Sequence, residues 1–86
     1  MIQVINKSCL ETYGHDEESP FVFMPISAIE DKSISPKAKG VLLYLLSLPR
    51  DSKINNDQLA KGLGVGAYYA NSCIQELIHA DYVEVV

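Results

Sequence analysis

Between positions 68 and 75 stand five side chains whose chemistry is recognition: Tyr68, Tyr69, Asn71, Ser72 and Gln75. On a helix, Asn71 and Gln75 lie one turn apart, and a carboxamide can bond adenine through two atoms at once. The hydroxyls of Ser72 and Tyr68 suit phosphate. The two tyrosines also suit a protein pocket, where aromatic anchors carry much of the binding energy. Cations for phosphate contact come from elsewhere: Lys32, Lys37, Lys39 and Lys61 serve only if the fold gathers them on one face. Residues 62–86 hold no Lys or Arg at all. The acidic run Asp16-Glu17-Glu18 reads first as a solvated loop. Its second reading is a contact loop facing a Lys- or Arg-lined groove.

Reactive chemistry has thinner support. Gly62, Gly64 and Gly66 lack the preceding strand and the lysine of a phosphate-binding loop. His15 beside Asp16 is a weak proton-transfer pair. Cys73 falls on an apolar helical stripe, which suits packing better than attack. Cys9, Cys73, His15 and His79 show no zinc-ligand spacing. The expectation is therefore a binding protein, not an enzyme, with no metal and no cofactor. The start lacks a basic region followed by a long apolar one, and no apolar run reaches membrane-spanning length. Two unpaired thiols then point to a reducing, cytoplasmic setting with no membrane.

The elements that position these residues follow from pattern. The chain has 86 residues, 48% of them hydrophobic and 21% charged, with a net charge of -4. That composition is globular and fits one small domain. Both ends are acidic, and the stretch 26–61 is mildly basic. Residues 1–6 alternate as a strand would, and 7–20 form a polar loop. Phe21 to Met24 is a second strand candidate, stopped by Pro25. Residues 26–30 make one helical turn. Ser35 caps a helix with Pro36 in its first position. Ala38, Val41, Leu42, Leu45 and Leu46 give it an apolar stripe, and Pro49 ends it. Asn56 caps a short helix carrying Leu59, Ala60 and Leu63, closed by Gly64 in a left-handed conformation. A longer helix runs over 67–80, with Ala70, Cys73, Ile74 and Leu77 inward. Asp81 ends it, and Tyr82 to Val86 is strand-like.

Short helix, turn, longer helix, strand is helix-turn-helix organisation. Asp57-Gln58-Leu59-Ala60-Lys61-Gly62-Leu63-Gly64-Val65 resembles the usual "x-x-L-A-x-x-x-G-V/I" segment. Ile74, Leu77 and Asp81-Tyr82-Val83 resemble the end of a recognition helix entering its wing. Phe23-Met24-Pro25, followed by Ser35-Pro36-Lys37-Ala38-Lys39-Gly40-Val41-Leu42-Leu43-Tyr44-Leu45-Leu46-Ser47-Leu48-Pro49, is similar to a stretch of winged-helix domains in phage and plasmid replication-initiation proteins. The likeness covers residues 21–86.

The resemblance implies an α+β fold: a winged helix-turn-helix of three to four helices with a small antiparallel sheet. Two departures stand out. The sequence offers only one wing strand, so the wing is truncated. The terminal strand is then expected to pair with Phe21–Met24, and residues 1–6 to add a third strand. Asp81 stands where the family has Gly. The expected layout is an N-terminal strand and acidic loop over 1–20 and a winged-helix-like unit over 21–86, forming one domain. With its recognition helix stripped of cations, the chain reads as a small phage-type protein that binds protein. A host or phage nucleic-acid-handling protein is the partner, inhibited in the manner of an anti-CRISPR protein. The alternative is sequence-specific DNA binding in replication initiation or transcription control, as a homodimer. A third reading is an interaction module related to the N-terminal part of longer initiation proteins.

Overall fold

The computed structural model describes residues 1–4, 24–48 and 52–86. It is an α+β fold. The elements in chain order are β1 (Ile2–Val4), α1 (Ile26–Ile29), α2 (Pro36–Leu46), α3 (Asn56–Leu63), α4 (Ala67–His79) and β2 (Val83–Val85).

Helix α2 starts where the Ser-Pro pair sets it. The Ser35 hydroxyl accepts from the Ala38 N–H, and Pro36 fills a first-turn position that needs no N–H donor. All five stripe residues, Ala38, Val41, Leu42, Leu45 and Leu46, are buried. The helix ends at Leu46, before Pro49, which lies outside the described residues. Helix α3 begins one residue earlier than Asn56 would set it as a cap. Asn55 is the N-cap: its side chain accepts from the Gln58 N–H, and the Gln58 Oε1 accepts in return from the Asn55 N–H. That reciprocal box satisfies two donors at once, which a cap at Asn56 would not. Gly62 faces the phenol end of Tyr44, so a methyl there would collide with it.

Both α3 and α4 end in the same motif. At α3, Gly64 is left-handed (φ 72°), and the Val65 N–H donates to Ala60 O at 3.0 Å. At α4, Asp81 is left-handed (φ 63°), and the Tyr82 N–H donates to Leu77 O at 2.9 Å. Each closes the last turn by a six-to-one bond. Asp81 thus adopts the glycine conformation without being glycine.

The expected N-terminal strand forms, and it lies directly beside the terminal strand. Strand β2 pairs antiparallel with β1, with Ile2 opposite Val85, Gln3 opposite Glu84 and Val4 opposite Val83. Phe21–Phe23 lie outside the described residues, and Met24 is not in a strand but packs half-buried against the core. Ile2 fixes the place of β1. Its side chain is buried, its N–H donates to Ile54 O at 2.8 Å, and its C=O accepts from the Ile54 N–H at 3.1 Å. Ile2 therefore joins Ile54, just before α3, to β2, just after α4. Beside it Met1 and Val86 exchange backbone bonds, as adjacent positions of an antiparallel ladder alternate. One core takes in Ile2, Leu42, Leu59, Ile74, Leu77 and Val83.

Candidate functional site

Helix α4 has two faces. Ala70, Cys73, Ile74 and Leu77 are buried against α2, α3 and β2, as their spacing predicts. Burial pushes the Cys73 thiol above its ordinary range. Cys9 lies outside the described residues. The opposite face presents Tyr68, 89% exposed, with Asn71 and Gln75 also exposed and Ser72 half-buried. Tyr69 is 40% exposed and turns toward α2, where the Lys37 ammonium lies 5.6 Å from its ring centre. That distance is within reach of a cation–π attraction. The α4 N-terminus has no side-chain cap at Gly66 and no acid in its first turn.

Open grooves flank the exposed ridge. One, of about 470 Å³, lies between the connector before α2 and the C-terminal half of α4. It is lined by Ser33, Ser72, Gln75, Glu76, His79 and Ala80. The other, of about 230 Å³, sits toward the start of α3 and the sheet. Asn55, Asn56, Asn71 and Gln75 rim it over Ile78 and Val85. Gln75 belongs to both. Asn56 donates its Nδ2 to Asn71 Oδ1 at 3.1 Å, which fixes one carboxamide on this rim.

Two carboxylates tie the connector to α4 and its exit. Glu76 accepts from the Ser35 N–H and the Ser35 hydroxyl, each at 2.8 Å. These bonds hold its pKa below the ordinary carboxyl value. Asp31 accepts from the Ser33 hydroxyl at 2.6 Å, the Tyr82 hydroxyl at 2.6 Å and the Ser33 N–H at 2.8 Å. Its pKa falls to about 2, chiefly through the Ser33 hydroxyl and then Tyr82.

The four lysines stand on three segments: the connector before α2, α2 itself and α3. Lys37 stands beside the first turn of α4. Lys32 is exposed and precedes Ser33 in the chain, without lining the larger groove. Lys39 is half-buried and acts on Asp31 through space. Lys61 is exposed in the last turn of α3, where it complements that helix's dipole. Asp16, Glu17 and Glu18 lie outside the described residues.

Sequence reasoning missed Glu76. Nothing local marks it, because its partner is Ser35, 41 positions upstream. The Lys37–Tyr69 pair was equally out of reach, since it needs the α2–α4 packing. No protein-family model, curated protein or solved structure matches the chain. Among the described residues no helix is long and apolar enough to cross a membrane, and no cluster of three or more metal-ligating side chains occurs.

Proposed function

We propose that the chain is a winged-helix domain that works by binding protein. It docks the outer face of α4 on a nucleic-acid-handling protein, as a small phage-type inhibitor would. The succession α2, α3, α4, β2 and the left-handed Gly64 between α3 and α4 support the scaffold. So does β1, which lies against β2 where a second wing strand would pair.

The exposure of Tyr68 carries the functional reading. A tyrosine 89% open to solvent stands on a helix with no Lys or Arg anywhere along it. Phosphate binding draws most of its strength from Lys and Arg, and this helix carries neither. A large rigid side chain with a polar tip, held clear of the surface, is what a protein pocket accepts. The test is calorimetry with the purified partner, first captured from host cells. Tyr68→Ala weakens binding by roughly 30-fold, a loss of about 2 kcal/mol, and Tyr69→Ala by less. The folded state is untouched, because the ring packs on little. Unchanged affinity in both variants removes α4 from the interface.

DNA binding as a homodimer is the second reading, favoured by Asn71 and Gln75 exposed on one face and by Lys37 beside the first turn. A mobility-shift titration at two salt concentrations decides. Tight binding to a defined duplex at ordinary ionic strength, falling by ~0.9 log units per contacted phosphate for each tenfold rise in salt, replaces the protein-binding reading.

A further inference from the structure

The larger groove beside α4 is polar, open and built around one carboxylate. Glu76 sits between Ser72, Gln75 and His79 of its own helix, with Ser33 across from it. Its two oxygens each accept one bond, and both bonds come from Ser35 rather than from a cation. A carboxylate offers about four acceptor sites, so each oxygen keeps one for a newcomer. Lys37 acts on Glu76 through space, yet its ammonium lies over the Tyr69 ring and it is not among the side chains lining the groove.

We propose that this groove receives an arginine side chain of the protein partner, its guanidinium paired with Glu76. The proposal rests on α4 being the docking face and names the chemistry that face meets. Three arguments carry it. The charge is complementary: a carboxylate repels anions, and proteins that handle nucleic acid present Lys and Arg on the surfaces that hold it. The geometry is prepared: two bonds from Ser35 hold the Glu76 rotamer, so little side-chain freedom is lost on binding. The shape of the donor matters too. A guanidinium has five N–H groups in a plane, more than one carboxylate can satisfy. The Ser33 and Ser72 hydroxyls and the Gln75 carboxamide stand around the same groove as neutral acceptors for the remainder.

The test is a titration of the labelled protein with Nα-acetyl-arginine amide, followed by amide chemical shifts. The control is Nα-acetyl-citrulline amide, nearly the same shape without the charge. Saturable shifts centred on Ser33, Ser72, Gln75 and His79 are expected, with a dissociation constant of roughly 1–10 mM for a lone charge-assisted pair. Citrulline binds at least about tenfold more weakly. Ser72→Lys, one turn before Glu76, puts a cation from the chain itself into the groove and abolishes the arginine shifts without breaking the Ser35 bonds. Equal shifts with both probes, shifts elsewhere on the surface, or none overturn the proposal. Should Ser72→Lys not fold, the comparison of the two probes on the parent chain still decides. Tyr68→Ala leaves the arginine titration unchanged, so the groove and the Tyr68 anchor fail separately.

Discussion

Helices α3 and α4 are joined by a short turn and pack on each other, yet they are held in opposite ways. Helix α3 carries its own fittings: a reciprocal capping box at Asn55 and Gln58, Asp57 in the first turn, Lys61 in the last and Gly64 beyond it. Helix α4 starts without a side-chain cap or an acid, and closes on a left-handed Asp81. Packing holds it instead. Ala70, Cys73, Ile74 and Leu77 are at most 1% exposed, and Glu76 is tied to Ser35 on the far side of the seam. The lesson is one of division. A helix fixed by its inner stripe needs little from its outer face, so Tyr68, Asn71, Ser72 and Gln75 are free to face a partner.

The largest break in that comparison comes from the stripe. Leu77 is fully buried and supplies the carbonyl that closes the turn to Tyr82. Leu77→Ala costs about 3 kcal/mol through lost burial and the cavity left behind. That is a large part of the stability of so small a domain. Urea unfolding measures it. A loss under about 1 kcal/mol would mean that α4 is not held by its stripe in the way a rigid core requires.

This division also sets what the sequence made legible. Apolar spacing found the inner residues of α2 and α4, because a helical period is a local property. Gly64 was legible for the same reason. The α3 cap was read one residue late, because Asn55 and Asn56 are the same residue type and only the return bond from Gln58 separates them. Strand pairing was only partly legible: residues 1–6 read as a strand, but its partner did not. Several short apolar segments compete for β2, and what places Ile2 there is its simultaneous bonding to Ile54, fifty-two positions away. The exposed outer face of α4 was legible from its spacing, but the groove beside it was not. It is made by Ser33 and Glu76, which only the tertiary fold brings together.

A smaller change sharpens the contrast by giving α4 what α3 already has. Asp81 pays a steric cost at φ 63° that Gly64 does not pay at 72°. Asp81→Gly relieves it, partly offset by the extra freedom of glycine in the unfolded chain, for a net gain of about 0.5 kcal/mol. In a domain of this length that raises the melting midpoint by roughly 2–4 °C. A fall in the midpoint instead would show that the Asp81 side chain contributes more than its backbone conformation costs.

The smallest effect separates the two helices by pH. The α3 box is made of neutral amides and is indifferent to acid. The connector that clasps α4 and its exit is held by two carboxylates with lowered pKa values, Asp31 at about 2 and Glu76 below its ordinary value through its bonds from Ser35. A lowered folded-state pKa means that the ionised form is the one the fold favours. Its contribution is complete above the ordinary value, 3.8 for Asp31, and disappears as pH falls through about 2. Tyr82→Phe removes one of the hydroxyls that hold Asp31 ionised. The melting midpoint of the variant therefore lies below that of the parent at pH 6, and the gap narrows as pH falls toward and through about 2, where Asp31 of the parent takes up its proton. The gap would stay constant from pH 6 to 2 if the Tyr82 hydroxyl acted only through packing at the α4–β2 junction. Narrowing of the gap, with the amides of α3 keeping their hydrogen-exchange protection over the same range, places the acid-sensitive hold on the α4 side alone.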